Sequence, residues 1–190
     1  MKVLIIFQFA FSFLHFGALA DPNILLIVSE DNGQELGCYG DPYVKTPVLD
    51  KLAKEGVLFK NAYVAQAGCS QCRASFLTGL YPHQNGQIGL ATWKFRMYDE
   101  NTPNIARSLK TAGYRTGIIG KLHVNPESAF PFDFKAISSS NFGRKDLGSY
   151  AAEAKRFMNG GDKPFFLSVN YPDAHRPFTT QVDGIPETPL

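Results

Sequence analysis

The chain has 190 residues, 44% hydrophobic and 19% charged, the composition of an ordinary globular domain with enough length to bury one core. Lys plus Arg number 19 against 17 for Asp plus Glu, a net charge of +2. That balance excludes a partner recruited by bulk charge, such as nucleic acid or an anionic membrane surface.

The first twenty residues stand apart. Lys2 precedes an apolar run from Val3 to Phe16, and Ala18-Leu19-Ala20 gives a small-x-small site before Asp21. This is the pattern of a secretory signal peptide over residues 1–20, with cleavage expected after Ala20 and an exported mature protein. The run falls short of the ~20 apolar residues that a spanning helix needs, and no later segment is apolar enough to cross a bilayer. No stable membrane insertion is expected after cleavage.

Residues 23–29 then form a continuous apolar and branched run, which predicts a strand buried on both faces of a parallel sheet. It ends in Glu30-Asp31. Carboxylates just past the end of a central strand lie where open α/β sheets bind ligands, although a solvated acidic turn would read the same way. Gly37-Cys38-Tyr39-Gly40 and Asp41-Pro42 mark a turn-rich loop. Thr46-Pro47 predicts the start of a helix, with Val48, Leu49 and Leu52 as its buried stripe and Gly56 as its stop. Residues 57–64 read as a second strand leading into the next loop.

That loop opens Gly68-Cys69-Ser70-Gln71-Cys72-Arg73-Ala74-Ser75-Phe76-Leu77-Thr78-Gly79. Small residues and a thiol precede apolar residues at helical spacing, and Gly79 closes the run. The pattern predicts a short helix with Cys69 in its first turn, where exposed N–H groups and the helix dipole favour anions; Arg73 adds a fixed positive fork. The residues alone leave open a buried structural thiol, a C-x-x-C redox pair with Cys72, or a chemically modified Cys69.

Pro82-His83-Gln84-Asn85-Gly86 reads as a loop in which His83 has no catalytic assignment. Thr102-Pro103 opens another helix, with Ile105, Ala106 and Leu109 inward and Gly113 as its stop. The strand over residues 115–120 delivers Lys121 and His123, which point the same way if the chain stays extended. Residues 130–148 combine Phe130, Phe132 and Phe134 with the run Ser138-Ser139-Ser140, an aromatic loop suited to a substrate cleft. A helix over about 147–158 and a strand over 164–170 come next, ending at Tyr171-Pro172-Asp173-Ala174-His175. The recurring strand-helix-strand order predicts a doubly wound α/β sandwich with a mostly parallel central sheet.

Cys69, Arg73, Leu77, Thr78 and Gly79 fit the pattern C-x-P-x-R-x-x-x-L-T-G, and Gly113-Tyr114, Thr116 and Gly120-Lys121-Leu122-His123 fit a second signature. With Thr46-Pro47, Phe59-Asn61-Ala62 and His83-Gln84-Asn85-Gly86 in the same order, the chain resembles the formylglycine-dependent sulfatases of the alkaline-phosphatase-like superfamily, most closely their heparan N-sulfatase branch. The resemblance runs from about Asn23 onward and makes residues 21–190 the N-terminal part of a sulfatase catalytic domain, with a fold incomplete at its C-terminal end. The family's further metal ligands, an Asp with an Asn, and a further basic residue belong to a later segment that has no counterpart before Leu190.

The resemblance implies hydrolysis of sulfate esters or sulfamates of glycans, with heparan-type N-sulfoglucosamine favoured. A maturation enzyme oxidises the motif Cys, here Cys69, to formylglycine, and the hydrated aldehyde attacks sulfur. Glu30, Asp31 and the Cys69-derived group would hold Ca2+ or another divalent cation, Glu30 being one methylene longer than the usual Asp. Arg73 would hold the diol, Lys121 sulfate and diol, His123 would act as base, and His175 would bind sulfate or protonate the leaving group. Gln71 stands where the pattern has Pro and Cys72 where Ser or Ala is usual, so slow conversion is expected. With Cys69 consumed, Cys38 and Cys72 remain as a pair that could bridge. A truncated, non-catalytic glycan-binding protein and a C-x-x-C thiol–disulfide oxidoreductase are the alternatives.

Overall fold

The computed structural model describes residues 21–138 and 147–175, so the expected signal peptide, Ser139 and Ser140, and residues 176–190 lie outside it. Four strands, β1 (Ile24–Val28), β2 (Arg115–Gly120), β3 (Phe134–Ala136) and β4 (Phe165–Asn170), form one sheet in the order β1-β4-β2-β3. Every pairing is parallel, with Ile24 opposite Phe166 and Arg115 opposite Phe165. Helices α1 (Pro47–Glu55), α2 (Cys69–Thr78), α3 (Pro82–Asn85), α4 (Ile105–Thr111) and α5 (Leu147–Met158) supply the other layers.

Alternation along β2 and β4 separates two cores. Ile118 and Phe166 face Ala74 and Leu77 of α2 and Ala106 of α4, together with Phe130 and Phe132. Ile119, Phe165, Leu167 and Val169 face Tyr150, Ala154 and Phe157 of α5. Helices thus cover both faces, as the strand-helix alternation predicts, and each fully buried Leu or Phe contributes roughly 1.5–3 kcal/mol.

The structure departs from four expectations. First, β1 is half-buried on one face and open on the other: Leu25 and Ile27 are 47% and 58% exposed, because β1 is the sheet's edge among the described residues and α5 packs over β2 and β4 instead. Second, α1 forms where Thr46-Pro47 and Gly56 place it, but Val48, Leu49 and Leu52 are exposed. Its ends hold it rather than a buried stripe: Thr46 Oγ1 donates to Asp50 (2.8 Å) and accepts from the Gly37 amide (2.9 Å).

Third, residues 57–64 form no strand. Their carbonyls turn to side chains, that of Phe59 accepting from Tyr39 Oη at 2.9 Å and that of Lys60 from Gln34 Nε2 at 3.1 Å. Fourth, the aromatic side chains after Ala129 belong to the core rather than to a cleft. Phe130 and Phe132 are buried, Phe134 begins β3, and Asp133 ties Lys110 to Thr116.

Two glycine turns position the strand and helix ends. Gly79 ends α2 in the left-handed conformation (φ 72°), as its place in the sequence predicts. At the end of β2, Gly120 has φ 85°, and a β-carbon there would fall 2.1 Å from the Asn170 carbonyl oxygen. Only glycine allows β2 and β4 to finish so close together.

Candidate active site at the carboxyl ends of the strands

The ends of β1, β2 and β4 and the start of α2 meet at one place. Glu30 lies just past β1 and is locked by main-chain bonds to the stretch after β4: its amide donates to the Asp173 carbonyl (2.9 Å) and its carbonyl accepts from Ala174 N (2.8 Å). Arg73, on the first turns of α2, donates through Nη2 to Glu30 Oε2 (2.5 Å) and through Nη1 to Asn170 Oδ1 and the Lys121 carbonyl, both at 2.8 Å. Lys121, the residue after β2, donates from Nζ to Glu30 Oε1 at 2.6 Å. One buried carboxylate therefore receives two buried cations.

This arrangement fixes the charge states. Burial alone would raise the Glu30 carboxyl, but the Arg73 charge and hydrogen bonds from Lys121, Arg73 and Cys69 outweigh it and hold it at about 2. The Cys69 thiol moves the other way, raised by burial and by its hydrogen bond to Glu30, with Lys121 opposing. Cys72 is raised too, by burial first. Raised thiols at a helix start run against the C-x-x-C redox alternative, which needs a stabilised thiolate. All three cysteines are free thiols, so Cys38 and Cys72 form no bridge.

Cys69 lies in a cleft of about 490 Å³ shared with Glu30, Asp31, Cys72, Arg73 and Phe76. Asp31 is half exposed, and its Oδ2 lies 3.8 Å from His175 Nε2. One ligand atom each from Glu30, Cys69 and His175 can be chosen within 4.8 Å of one another. Residues far apart in sequence thus converge as expected.

His123 departs from its predicted geometry. The chain does not stay extended at this residue (φ 53°), while its ring feels the charges of Lys121, Arg73, Glu30 and His175. His123 also lines an adjoining cavity of about 390 Å³ with Thr92, Asn125, Glu127 and Lys135. Neither ring nitrogen has a hydrogen-bond partner, and burial, with the Lys121 and Arg73 charges, pushes it down to about 4. His83 stacks on Tyr81, with ring centroids 5.7 Å apart.

Asn170 is a site residue that no sequence pattern marked. It lies on β4, is buried, accepts from Arg73, and donates to the Ile119 carbonyl (3.3 Å) and Ser168 Oγ (3.0 Å). A polar residue closing an otherwise apolar strand is the signal that could have found it. Gln71, in the pattern's Pro position, is buried, with Nε2 3.4 Å from the Ile88 carbonyl and Oε1 unpartnered.

The cation implied by the resemblance fits these residues only in part. Calcium takes six to eight oxygens. Among the described residues the cleft offers the carboxylates of Glu30 and Asp31, and both oxygens of Glu30 already accept from Arg73 and Lys121.

Residues 22–188 match the family model described as Sulfatase. Human N-sulphoglucosamine sulphohydrolase is 42% identical over 161 residues, which cover 81% of this chain and 32% of that protein. An ulvan-active sulfatase of Formosa agariphila is 34% identical, covering 80% of this chain and 30% of its own length, and mouse iduronate 2-sulfatase is 41% identical, covering 82% and 35%. The chain spans about a third of the length of these curated relatives. Among solved structures, i-CgsB bound to k-i-k-neocarrahexaose superposes with a TM-score of 0.73 at 27% identity, covering 84% of this chain and 47% of that one. A protein solved with its substrate D-glucosamine-2-N,6-O-disulfate gives 0.68 at 27% identity, covering 82% and 35%.

Proposed function

The chain belongs to the sulfatase family, and on that premise we propose that it carries the nucleophile-bearing part of a hydrolase acting on sulfated glycans, with N-sulfoglucosamine as the favoured unit. The identity to N-sulphoglucosamine sulphohydrolase and the fold shared with a protein that acts on glucosamine 2-N,6-O-disulfate support the substrate class. In the reaction, water and a sulfamate or sulfate ester give the amine or alcohol and sulfate.

One observation carries the reading: Cys69 shares a cleft with Glu30, Asp31 and Arg73, and Lys121 completes the charge network behind it. Cys69, converted to formylglycine by a maturation enzyme, would supply the nucleophilic oxygen, and a divalent cation at Glu30 and Asp31 would neutralise sulfate charge. Arg73 and Lys121 hold positive charge against the cleft while Glu30 keeps them oriented. His123, which the family resemblance makes the base, is neutral at physiological pH, and the burial and cations that push it down to about 4 would make it a weak one. His175, whose Nε2 lies 3.8 Å from Asp31 Oδ2, would give a proton to the leaving nitrogen or oxygen. The leader read at residues 1–20 supports export.

The test is co-expression of the full chain with a formylglycine-generating enzyme, followed by peptide mass measurement across Cys69 and by assay of sulfate released from N-sulfoglucosamine. Replacement of the thiol by an aldehyde, with release that is lost in Cys69→Ala, is expected. An unconverted thiol with glycan binding but no release would overturn the enzyme reading in favour of a binding protein.

A further inference from the structure

His123 joins two spaces. Its ring feels the charges of the strand-end cluster, and it also lines the adjoining cavity of about 390 Å³. Both ring nitrogens are buried without a hydrogen-bond partner, an exception to the pairing that buried polar atoms keep in folded proteins. A neutral imidazole has one donor and one acceptor, so the group that would satisfy it must both accept and donate, as a sugar hydroxyl does.

The rest of the lining has the same character. Thr92, Asn125 and Ser138 are polar, and Glu127 and Lys135 supply one charge of each sign. Among the described residues neither of these two charged groups belongs to an ion pair. The volume is in the range of small-molecule sites, roughly 300–1,000 Å³. With one acid and one base, the cavity is a poor trap for a bare anion and a good match for a hydroxylated ring that carries a single anionic group. Glu127 can accept from hydroxyls, and the Lys135 ammonium can take the anion. Lys135 comes from β3, where it follows Phe134, whose ring packs on Phe157 of α5, and it lies outside both sequence signatures.

Resting on the sulfated-glycan reading, we propose that this cavity is the subsite for a second anionic group of the substrate and that Lys135 selects it. That group is either a sulfate ester on the same sugar or the carboxylate of a neighbouring one, since both present anionic oxygens to an ammonium. With the sulfate to be cleaved in the Cys69 cleft and the second anion on Lys135, the sugar ring lies across His123, whose nitrogens meet its hydroxyls. Two anchored points fix the orientation of a ring that a single sulfate leaves free to turn.

The experiment uses the full chain made without a maturation enzyme, so that sugar is bound without turnover, in calorimetric titrations with three probes. These are N-sulfoglucosamine, glucosamine-2-N,6-O-disulfate, and a disaccharide of a uronic acid with N-sulfoglucosamine. One or both of the doubly charged probes should bind about tenfold more tightly than N-sulfoglucosamine, and which of them does so identifies the source of the second anion. Lys135→Ala, at an exposed position, should bring that probe to within about twofold of N-sulfoglucosamine and leave N-sulfoglucosamine itself unchanged, whereas Lys135→Arg should keep most of the gain. Lys51→Ala, at an exposed lysine of α1, controls for the loss of one positive charge and should alter nothing. Equal affinity for all three probes, a gain that survives Lys135→Ala, or a loss shared by all three overturns the proposal. If the converted chain still releases sulfate from N-sulfoglucosamine in that event, the sulfatase reading stands without the subsite; if no probe binds and no sulfate is released, both fall.

Discussion

Arg73 and Glu30, 43 residues apart in sequence, meet as a buried ion pair, Nη2 to Oε2 at 2.5 Å, with side chains 5% and 4% exposed. Lys121 reaches the other oxygen of the same carboxylate. Removing the negative member strands two buried cations, so Glu30→Gln should cost about 3–5 kcal/mol. Glu30→Asp keeps the charge and should cost less. Urea unfolding midpoints decide the matter, and a Glu30→Gln midpoint equal to the parent's would show that the three charges do not depend on one another.

Acid should unfold the chain in two stages. His123 is held neutral at about 4 against an ordinary value of 6.5, so the unfolded state takes up a proton first and stability falls as pH drops from 6.5 to 4. Glu30 titrates at about 2 against 4.5, so its contribution is whole above 4.5 and disappears as pH falls toward 2. Melting temperature against pH should show both stages, and His123→Gln should remove the upper one alone.

Gly120→Ala should be among the most damaging single changes. The added carbon would lie 2.1 Å from the Asn170 carbonyl oxygen at a backbone angle that side chains resist. The ends of β2 and β4 would be forced apart, taking Lys121 away from Glu30. Loss of soluble, cooperatively folding protein is expected, and a two-state melt near the parent's would refute the tight approach.

Apolar residues of α1 and α2 should behave oppositely. Val48→Ser and Leu52→Ser, on exposed positions, should change stability by no more than about 0.5 kcal/mol. Leu77→Ala, in the core under α2, should cost about 2–5 kcal/mol. Denaturant titrations of the three variants test the contrast.

Thiol reactivity distinguishes the redox reading. Cys69 and Cys72 are both raised, so alkylation of either at neutral pH should be slow and should climb through and beyond the usual thiol range near about 8.5. Mass-resolved iodoacetamide rates against pH provide the measurement. Fast neutral labelling of Cys69 would restore the oxidoreductase alternative.

The parts of the fold that rest on strong local patterns were legible. The runs at β1, β2 and β4, the helix from Cys69 to its glycine stop, and the convergence of Glu30, Asp31, Arg73 and Lys121 all agree with the sequence patterns. What was not legible depends on neighbours. Val48 and Leu52 have helical spacing whether or not anything packs on them, and residues 57–64 have strand composition without a strand beside them. The left-handed backbone at His123 was not legible, because no letter of Lys-Leu-His announces it. Asn170 reads as a strand's final polar residue until Arg73, on α2, is known to donate to it.

The pairing of Ile24 with Phe166 joins nearly the first and nearly the last of the described residues. Contacts with so wide a separation form late, after the closure of a long loop has been met by other structure. Glu30 and Asp173 sit at the mouth of that loop. A polypeptide released from synthesis before the last strand would keep Glu30, Arg73 and the thiol yet lack both the main-chain bonds from Asp173 and Ala174 that fix Glu30 and the Asn170 oxygen that receives Arg73, so an assembled rim is also a record that chain closure has finished.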